Sequence, residues 1–125
     1  MIAVDTSIFV DYQQERGGQD IELLRTSLSQ GEAYFPPVVV TELLSAPRLA
    51  VHQRAIILSL PRLEIDDRYW ARAGDLRMKL AVKKLKAKLA DALIAQSCLD
   101  HDMPLLTRDE DFRHFAKHCG LKLLK

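Results

Sequence analysis

The stretch Ile2-Ala3-Val4-Asp5 is apolar at three successive positions and acidic at the fourth. A strand that is apolar without alternating is typical of a parallel sheet that is covered on both faces. Four further short runs have the length and composition of strands, at residues 33–35, 62–65, 105–107 and 121–124. Longer helical patterns separate these runs, which indicates parallel strands joined by helical crossovers.

Apolar residues spaced three and four positions apart predict the helices. Six such patterns cover residues 20–29, 38–45, 49–58, 69–80, 89–99 and 110–117, and a seventh helix can begin near Ser7. The pattern at 89–99 is apolar nearly all round, which indicates a helix packed between the sheet and other helices. The sequence therefore predicts an α/β fold. We expect a three-layer α/β/α sandwich with a parallel five-stranded sheet, forming one domain over residues 1–125.

The composition excludes several classes of protein. The chain has 125 residues, of which 48% are hydrophobic and 28% charged, as in one globular domain that buries its own core. Its longest apolar runs are far shorter than the roughly 20 residues that span a bilayer, so we expect no membrane association. Cys98 and Cys119 are too few for a disulfide-rich secreted scaffold, and we expect a reducing, cytoplasmic location.

Five acidic residues stand where chemistry is expected in such a fold. Ligands of open α/β sheets bind beyond the carboxyl ends of strands, and Asp5, Asp109 and Asp111 follow predicted strands. Glu42 and Asp91 stand within apolar segments that carry no lysine or arginine to neutralise them. Burying an isolated carboxylate is costly unless a cation or a metal compensates. Carboxylates that converge at one sheet edge are hard oxygen ligands suited to Mg²⁺ or Mn²⁺.

Most of these acids also have a structural interpretation. Asp5 and Asp109 can cap helices, and Asp91 can be a first-turn acid that the helix dipole favours. Glu42 has no capping role inside an apolar helix, which favours a shared functional site. Asp109 and Asp111 both remain candidates for the fourth acid of that site. If a helix has already begun there, their side chains point in different directions.

Four segments resemble the motifs of PIN-domain ribonucleases. They are Val4-Asp5-Thr6-Ser7, Thr41-Glu42-Leu43-Leu44, Leu89-Ala90-Asp91-Ala92-Leu93-Ile94-Ala95 and Leu106-Thr107-Arg108-Asp109-Glu110-Asp111-Phe112. The likeness covers nearly the whole chain in the expected order. Within this fold, the chain is most similar to the VapC toxins of bacterial and archaeal toxin–antitoxin pairs.

The resemblance implies metal-dependent cleavage of RNA phosphodiesters, with a 5′-phosphate and a 3′-hydroxyl as products. The positions of the family's acids and supporting hydroxyls correspond to Asp5, Glu42, Asp91 and Asp109, and to Thr6 or Ser7 and Thr107. Asp5 and Asp91 would be direct ligands of Mg²⁺ or Mn²⁺, and Asp109 a direct or water-mediated one. Glu42 would be a ligand or orient the attacking water. The resemblance also implies a homodimer and a small inhibitory antitoxin, with tRNA, rRNA or mRNA as the substrate.

A run of cations precedes Asp91. Six basic residues and no acid lie between positions 77 and 88, namely Arg77, Lys79, Lys83, Lys84, Lys86 and Lys88. The net charge of the chain is only +1, so this run is a local excess that fits a track for RNA phosphates. A solvated helix face with its loop is the alternative interpretation.

Other functions fit the sequence less well. A receiver domain needs an acidic pair around the first strand, and a haloacid-dehalogenase-type phosphatase needs a second aspartate where Ser7 stands. Glycine motifs for nucleotides are lacking. His114 and His118 have the spacing of zinc ligands but lack the glutamate of the zincin motif. The remaining alternative is a PIN-like module that binds RNA or protein without catalysis.

Overall fold

The computed structural model describes residues 1–124 of the chain. The elements, in chain order, are β1 (Ile2–Val4), α1 (Thr6–Gln13), α2 (Gln19–Ser29), β2 (Ala33–Tyr34), α3 (Pro37–Leu44), α4 (Val51–Ser59), α5 (Tyr69–Val82), α6 (Leu89–Asp100), β3 (Leu105–Leu106), a 3₁₀ helix (Glu110–Phe112) and α7 (Arg113–Cys119). The predicted α/β class is confirmed, with helices between and after the strands.

The sheet is parallel, with the strand order β2-β1-β3. In β1, Ile2 is aligned with Ala33 of β2, and Val4 with Leu106 of β3. Every residue of β1 is buried, as the unbroken apolar run predicts. The first strand is therefore the centre of the sheet, and the chain leaves it at the edge where β3 also ends.

Within residues 1–124 the sheet has three strands, two fewer than the five predicted. The segments at 62–65 and 121–124 lie beside the sheet, but each makes only one parallel bridge, Phe35 with Arg62 and Leu105 with Leu123. In each segment a buried leucine is followed by an exposed polar residue, as in Leu63-Glu64. One buried leucine in each segment is not enough to keep a longer stretch of backbone hydrogen-bonded to the edge of the sheet.

Helix α3 forms despite the three valines that favour a strand. Pro37 stands at the first helical position, where its missing N–H costs nothing. Val39, Val40 and Leu43 are buried and share one side of the helix. Tertiary burial of this apolar side therefore overrides the local strand propensity.

Helix α6 packs in the interior, with buried residues on most sides. Its neighbour α5 buries Tyr69, Ala73 and Leu80, and the Tyr69 hydroxyl donates to the Leu93 carbonyl over 2.5 Å. This packing fixes the first turns of α6, which carry Asp91. No helix in the described part of the chain has the length and hydropathy to cross a membrane.

Candidate metal centre

Asp5 is held at the carboxyl end of β1 by two hydroxyls. Its backbone N–H donates to the carbonyl of Leu106 (3.0 Å), and its Oδ2 accepts from Ser7 Oγ and Thr107 Oγ1, at 2.7 Å each. Asp5 is the N-cap residue of α1, yet its side chain makes no capping bond. Asp5 is only 4% exposed. Its carboxylate is therefore held by side-chain hydroxyls from α1 and from the loop after β3, and not by the backbone of the helix.

The two hydroxyls that hold Asp5 are themselves oriented. Ser7 Oγ accepts from the backbone N–H of Arg108 (3.0 Å), and Thr107 Oγ1 accepts from the backbone N–H of Asp109 (3.0 Å). Each hydroxyl therefore has its single proton free to donate to Asp5. The loop after β3 is thereby tied to Asp5 and to the first turn of α1.

Three further carboxylates converge beside this network. Asp91, Asp109 and Asp111 each offer one oxygen, and these oxygens all lie within 4.8 Å of one another. Asp91 lies in the first turn of α6. Asp109 caps the 3₁₀ helix, because its Oδ1 accepts from the backbone N–H of Asp111 (2.9 Å). The structural interpretation of Asp109 as a cap is thus compatible with its place in the cluster.

Sequence analysis expected Asp109 and Asp111 to point in different directions only if a helix had already begun at Asp109. That condition is not met. The chain instead makes a capped 3₁₀ turn there, with Asp109 still in extended conformation. Both side chains therefore reach the same space as Asp91.

The environment of Asp91 disfavours its charged form. Burial, followed by the nearby charges of Asp109 and Asp5, raises the pKa of the Asp91 carboxyl to about 6. Asp91 is 7% exposed, and the nearby charge of Lys88, which lowers the pKa, does not offset these effects. A bound cation would remove that repulsion, since opposite charge stabilises the ionised form.

Glu42 lies at the rim, outside the cluster of three carboxylates. It was expected to be buried, but it is exposed, because α3 turns Val39, Val40 and Leu43 inward and Glu42 outward. Its Oε1 accepts from Thr6 Oγ1 (2.7 Å). Thr6 directly follows Asp5 in the chain, so Glu42 is fastened to the same sheet edge.

The cationic run reaches the cluster through two of its lysines. Lys86 Nζ and Lys88 Nζ each lie 3.2 Å from Oδ2 of Asp111. These contacts lower the pKa of the Asp111 carboxyl, and hydrogen bonding to Asp111 raises the pKa of Lys88. The run is therefore joined to the candidate site at one end.

Sequence analysis did not single out Arg108, which joins three parts of the chain. Its guanidinium donates to both carboxylate oxygens of Asp20 (2.6 Å each), to Asp11 (3.0 Å) and to the Gly17 carbonyl (2.9 Å). Hydrogen bonding to Arg108 lowers the pKa of Asp20.

The Arg108–Asp20 pair leaves no room for a side chain at position 18. Gly18 has a φ of 137°, and a Cβ there would lie 2.6 Å from Asp20 Oδ1 and 2.8 Å from Arg108 Nη2. In the sequence, the features that mark this junction are the position of Arg108 between Thr107 and Asp109 and the adjacent pair Gly17-Gly18.

The donor set fits a hard divalent cation. Carboxylate oxygens are the ligands that Mg²⁺, Mn²⁺ and Ca²⁺ prefer. Two ligand oxygens on opposite sides of a Mg²⁺ ion are about 4.2 Å apart. The oxygens of Asp91, Asp109 and Asp111 lie within 4.8 Å of one another, so small side-chain movements would let them bind one ion. His114 and His118 join no such group of three or more ligands within residues 1–124.

Several solved structures share this fold. FitAcB from Neisseria gonorrhoeae is 17% identical with a TM-score of 0.73, and the match covers 100% of this chain and 97% of that chain. VapBC2 from Rickettsia felis, bound to a DNA fragment from their promoter, is 20% identical with a TM-score of 0.73, covering 99% and 98%. VapBC-5 from Mycobacterium tuberculosis, described as a member of the VapBC family of toxin–antitoxin systems, is 22% identical with a TM-score of 0.66, covering 99% and 97%.

Sequence comparison defines the family. Comparison with curated proteins gives no significant match. The family model described as the PIN domain matches residues 2–118. This range includes all three strands and the five acidic residues described above. Because the match covers most of the chain, the chain belongs to the PIN domain family.

Proposed function

We propose that the chain is a metal-dependent endoribonuclease and the toxin of a toxin–antitoxin pair. The observation that carries the proposal is the convergence of Asp91, Asp109 and Asp111 within 4.8 Å, beside Asp5 at the ends of two parallel strands. Membership of the PIN domain family supports nuclease activity. A toxin–antitoxin complex from Klebsiella pneumoniae has the same fold, which supports the toxin role.

Four of the acidic residues would bind the metal ion. Asp5, Asp91 and Asp109 would hold Mg²⁺ or Mn²⁺, and Asp111 joins them because its carboxylate shares the same space. When bound, the ion supplies a Lewis acid that polarises the phosphate and lowers the pKa of a bound water. The hydroxyls of Ser7 and Thr107 fix the position of the Asp5 carboxylate. No side chain is required as a nucleophile.

Glu42 has a different role in this proposal. Its exposed carboxylate accepts a hydrogen bond from Thr6 and does not belong to the cluster of Asp91, Asp109 and Asp111. A carboxylate in that place can accept a proton from an attacking water or orient it. The alternative is direct ligation of the metal by Glu42.

The lysines support RNA as the substrate class. Lys83, Lys84, Lys86 and Lys88 are all exposed, and the last two lie at the carboxylate cluster. A nuclease must attract a polyanion to a site that is itself acidic, and flanking lysines supply that attraction. The phosphate backbone would therefore run along residues 83–88 toward Asp91.

Two protein partners belong to the proposal. One is a small antitoxin, as in the complexes that share the fold. The other is a second copy of this chain, because α5 leaves Trp70, Met78 and Val82 exposed by 60%, 58% and 75%. Exposed apolar residues on one side of a helix are typical of protein interfaces. Light scattering of the purified protein, before and after Trp70→Ala, tests the homodimer.

Expression in a bacterial host tests the proposed function as a whole. The chain is induced with and without its genomic neighbour, and RNA 5′ ends are sequenced. We expect growth arrest with discrete new 5′ ends, relief by the neighbour, and neither effect with Asp91→Asn. Growth arrest without new RNA ends would contradict nuclease activity, and new ends that the neighbour does not suppress would contradict the toxin role.

A further inference from the structure

The segment between α5 and α6 brings two lysines onto one carboxylate oxygen. Lys86 Nζ and Lys88 Nζ each lie 3.2 Å from Oδ2 of Asp111. Asp111 is also one of the three carboxylates whose oxygens lie within 4.8 Å of one another. Arg113 Nη1 lies farther away, 4.0 Å from the other oxygen, Oδ1. The two lysines are therefore the nearest side-chain cations to an acid that the proposed function assigns to the metal.

Local chain geometry explains why both lysines face the same way. Leu85 and Ala87 are half-buried, whereas Lys86 and Lys88 are exposed. Alternation of this kind places every second side chain on the same side of the backbone. The Nε of Arg77 donates to the carbonyl of Ala87 (2.7 Å), which fastens the residue between the two lysines to α5.

The two ion pairs are easily exchanged. The Lys86 and Lys88 side chains are 58% and 55% exposed, and that of Asp111 is 22% exposed. Ion pairs in such surroundings contribute little to stability and are screened by salt. The lysines can therefore leave Asp111 at small cost when another cation takes its carboxylate.

We propose that Lys86 and Lys88 are exchangeable counter-ions, which neutralise Asp111 in the metal-free chain and turn to an RNA phosphate once a divalent ion takes that carboxylate. The inference rests on the proposed function. A lysine ammonium is a compact point charge with three donors on a flexible stem, so it can serve a carboxylate or a phosphate. The two lysines act as positioning residues that couple metal binding to RNA binding.

The first arm of the test measures Mn²⁺ affinity without RNA, by calorimetry. In the double variant K86Q/K88Q, Mn²⁺ binding is expected to tighten by about threefold to tenfold, the size expected for two half-exposed ion pairs. The matched control K83Q/K84Q removes two exposed lysines that pair with no carboxylate within residues 1–124, and it should leave the affinity nearly unchanged. Circular dichroism checks that both variants fold.

The second arm measures RNA affinity, by anisotropy of a short labelled single-stranded RNA. K86Q/K88Q is expected to bind this RNA severalfold more weakly than wild type. The difference should be larger in Ca²⁺ than in EDTA, because the lysines are released only when Asp111 holds a metal ion. Gel analysis verifies that the RNA stays intact.

A double-mutant cycle decides whether the lysines act through Asp111. In an Asp111→Asn background, K86Q/K88Q should no longer change Mn²⁺ affinity. An unchanged or weaker Mn²⁺ affinity in K86Q/K88Q alone would overturn the inference, as would unchanged RNA affinity or an effect that persists without Asp111. If wild type binds Mn²⁺ and cleaves RNA, such a result leaves the proposed function standing. If wild type does neither, both fail together.

Discussion

The hydroxyl of Thr107 donates to Oδ2 of Asp5 over 2.7 Å and joins two residues that are 102 positions apart in the chain. The bond forms because β1 and β3 are neighbouring parallel strands, so the residues that follow them meet at one edge. Ser7 donates to the same oxygen. Asp5 is therefore oriented by the fold itself.

Removal of this hydroxyl should weaken the site without unfolding the chain. Thr107→Val keeps the volume of the side chain and leaves Asp5 with one of its two donors. Loss of a group that orients a metal ligand typically costs about 10–100-fold in metal affinity or activity, and we expect this range for Mn²⁺ binding by calorimetry. The control Thr26→Val makes the same chemical change at an exposed position of α2. Equal affinity in both variants would contradict the role of Thr107.

Stability of the metal-free chain should depend on pH through Asp91. Its pKa is raised to about 6 from the ordinary 3.8, so the folded chain binds more protons than the unfolded chain between these values. The free energy of unfolding therefore falls as pH rises through this window and is regained as pH falls. The size is on the order of 1–3 kcal/mol.

Urea unfolding in EDTA, at a series of pH values between about 4.5 and 7, measures this dependence. Asp91→Asn should remove the Asp91 contribution and stabilise the metal-free chain at neutral pH. Carboxyls with lowered pKa, such as Asp20 and Asp66, act at lower pH and remain in both proteins. Identical pH profiles for wild type and Asp91→Asn would contradict the buried, repelled state of Asp91.

The question of the fourth acid can be answered by two matched substitutions. Asp109→Asn and Asp111→Asn each remove one charge from the cluster and keep nearly the same volume. Because both carboxylates share the space with Asp91, each variant should bind Mn²⁺ more weakly than wild type in calorimetry. Asp111→Asn with wild-type affinity would restrict the site to Asp91, Asp109 and Asp5.

Arg108 should be important for stability. Arg108→Ala leaves Asp11 and Asp20 without the guanidinium that joins α1, α2 and the loop after β3. We expect the thermal midpoint to fall by several degrees. Arg16→Ala is the matched control, since Arg16 also pairs with Asp11 but is 61% exposed. Equal midpoints for the two variants would show that Arg108 does not join these elements in solution.

Sequence patterns predicted most of the fold because burial follows the apolar pattern closely. The central strand, the interior helix α6 and the long helix α5 lie where periodicity placed them. The two missing strands show the limit of that reasoning. A short run with one buried residue resembles a strand in sequence, but pairing depends on neighbours that the sequence does not reveal.

The candidate site was predictable in part. Asp5, Asp91 and Asp109 were found from their places after strands and within an apolar helix. Glu42 was expected to be buried because its neighbours are apolar, but helical periodicity turns it outward. Asp111 was a candidate beside Asp109, but the sequence could not show that both carboxylates reach the cluster, because this depends on one capped 3₁₀ turn. The contacts of Arg108 depend on loops that no local pattern specifies.

The measurement that tests the central claim most directly is RNA cleavage by the purified protein as a function of metal. We expect cleavage with Mg²⁺ or Mn²⁺, none in excess EDTA, and none with Asp91→Asn although that variant remains folded. Added Mn²⁺ should also raise the thermal midpoint of wild type, and raise it less in Asp5→Asn. Undiminished cleavage in excess EDTA, or full activity of Asp91→Asn, would contradict the account.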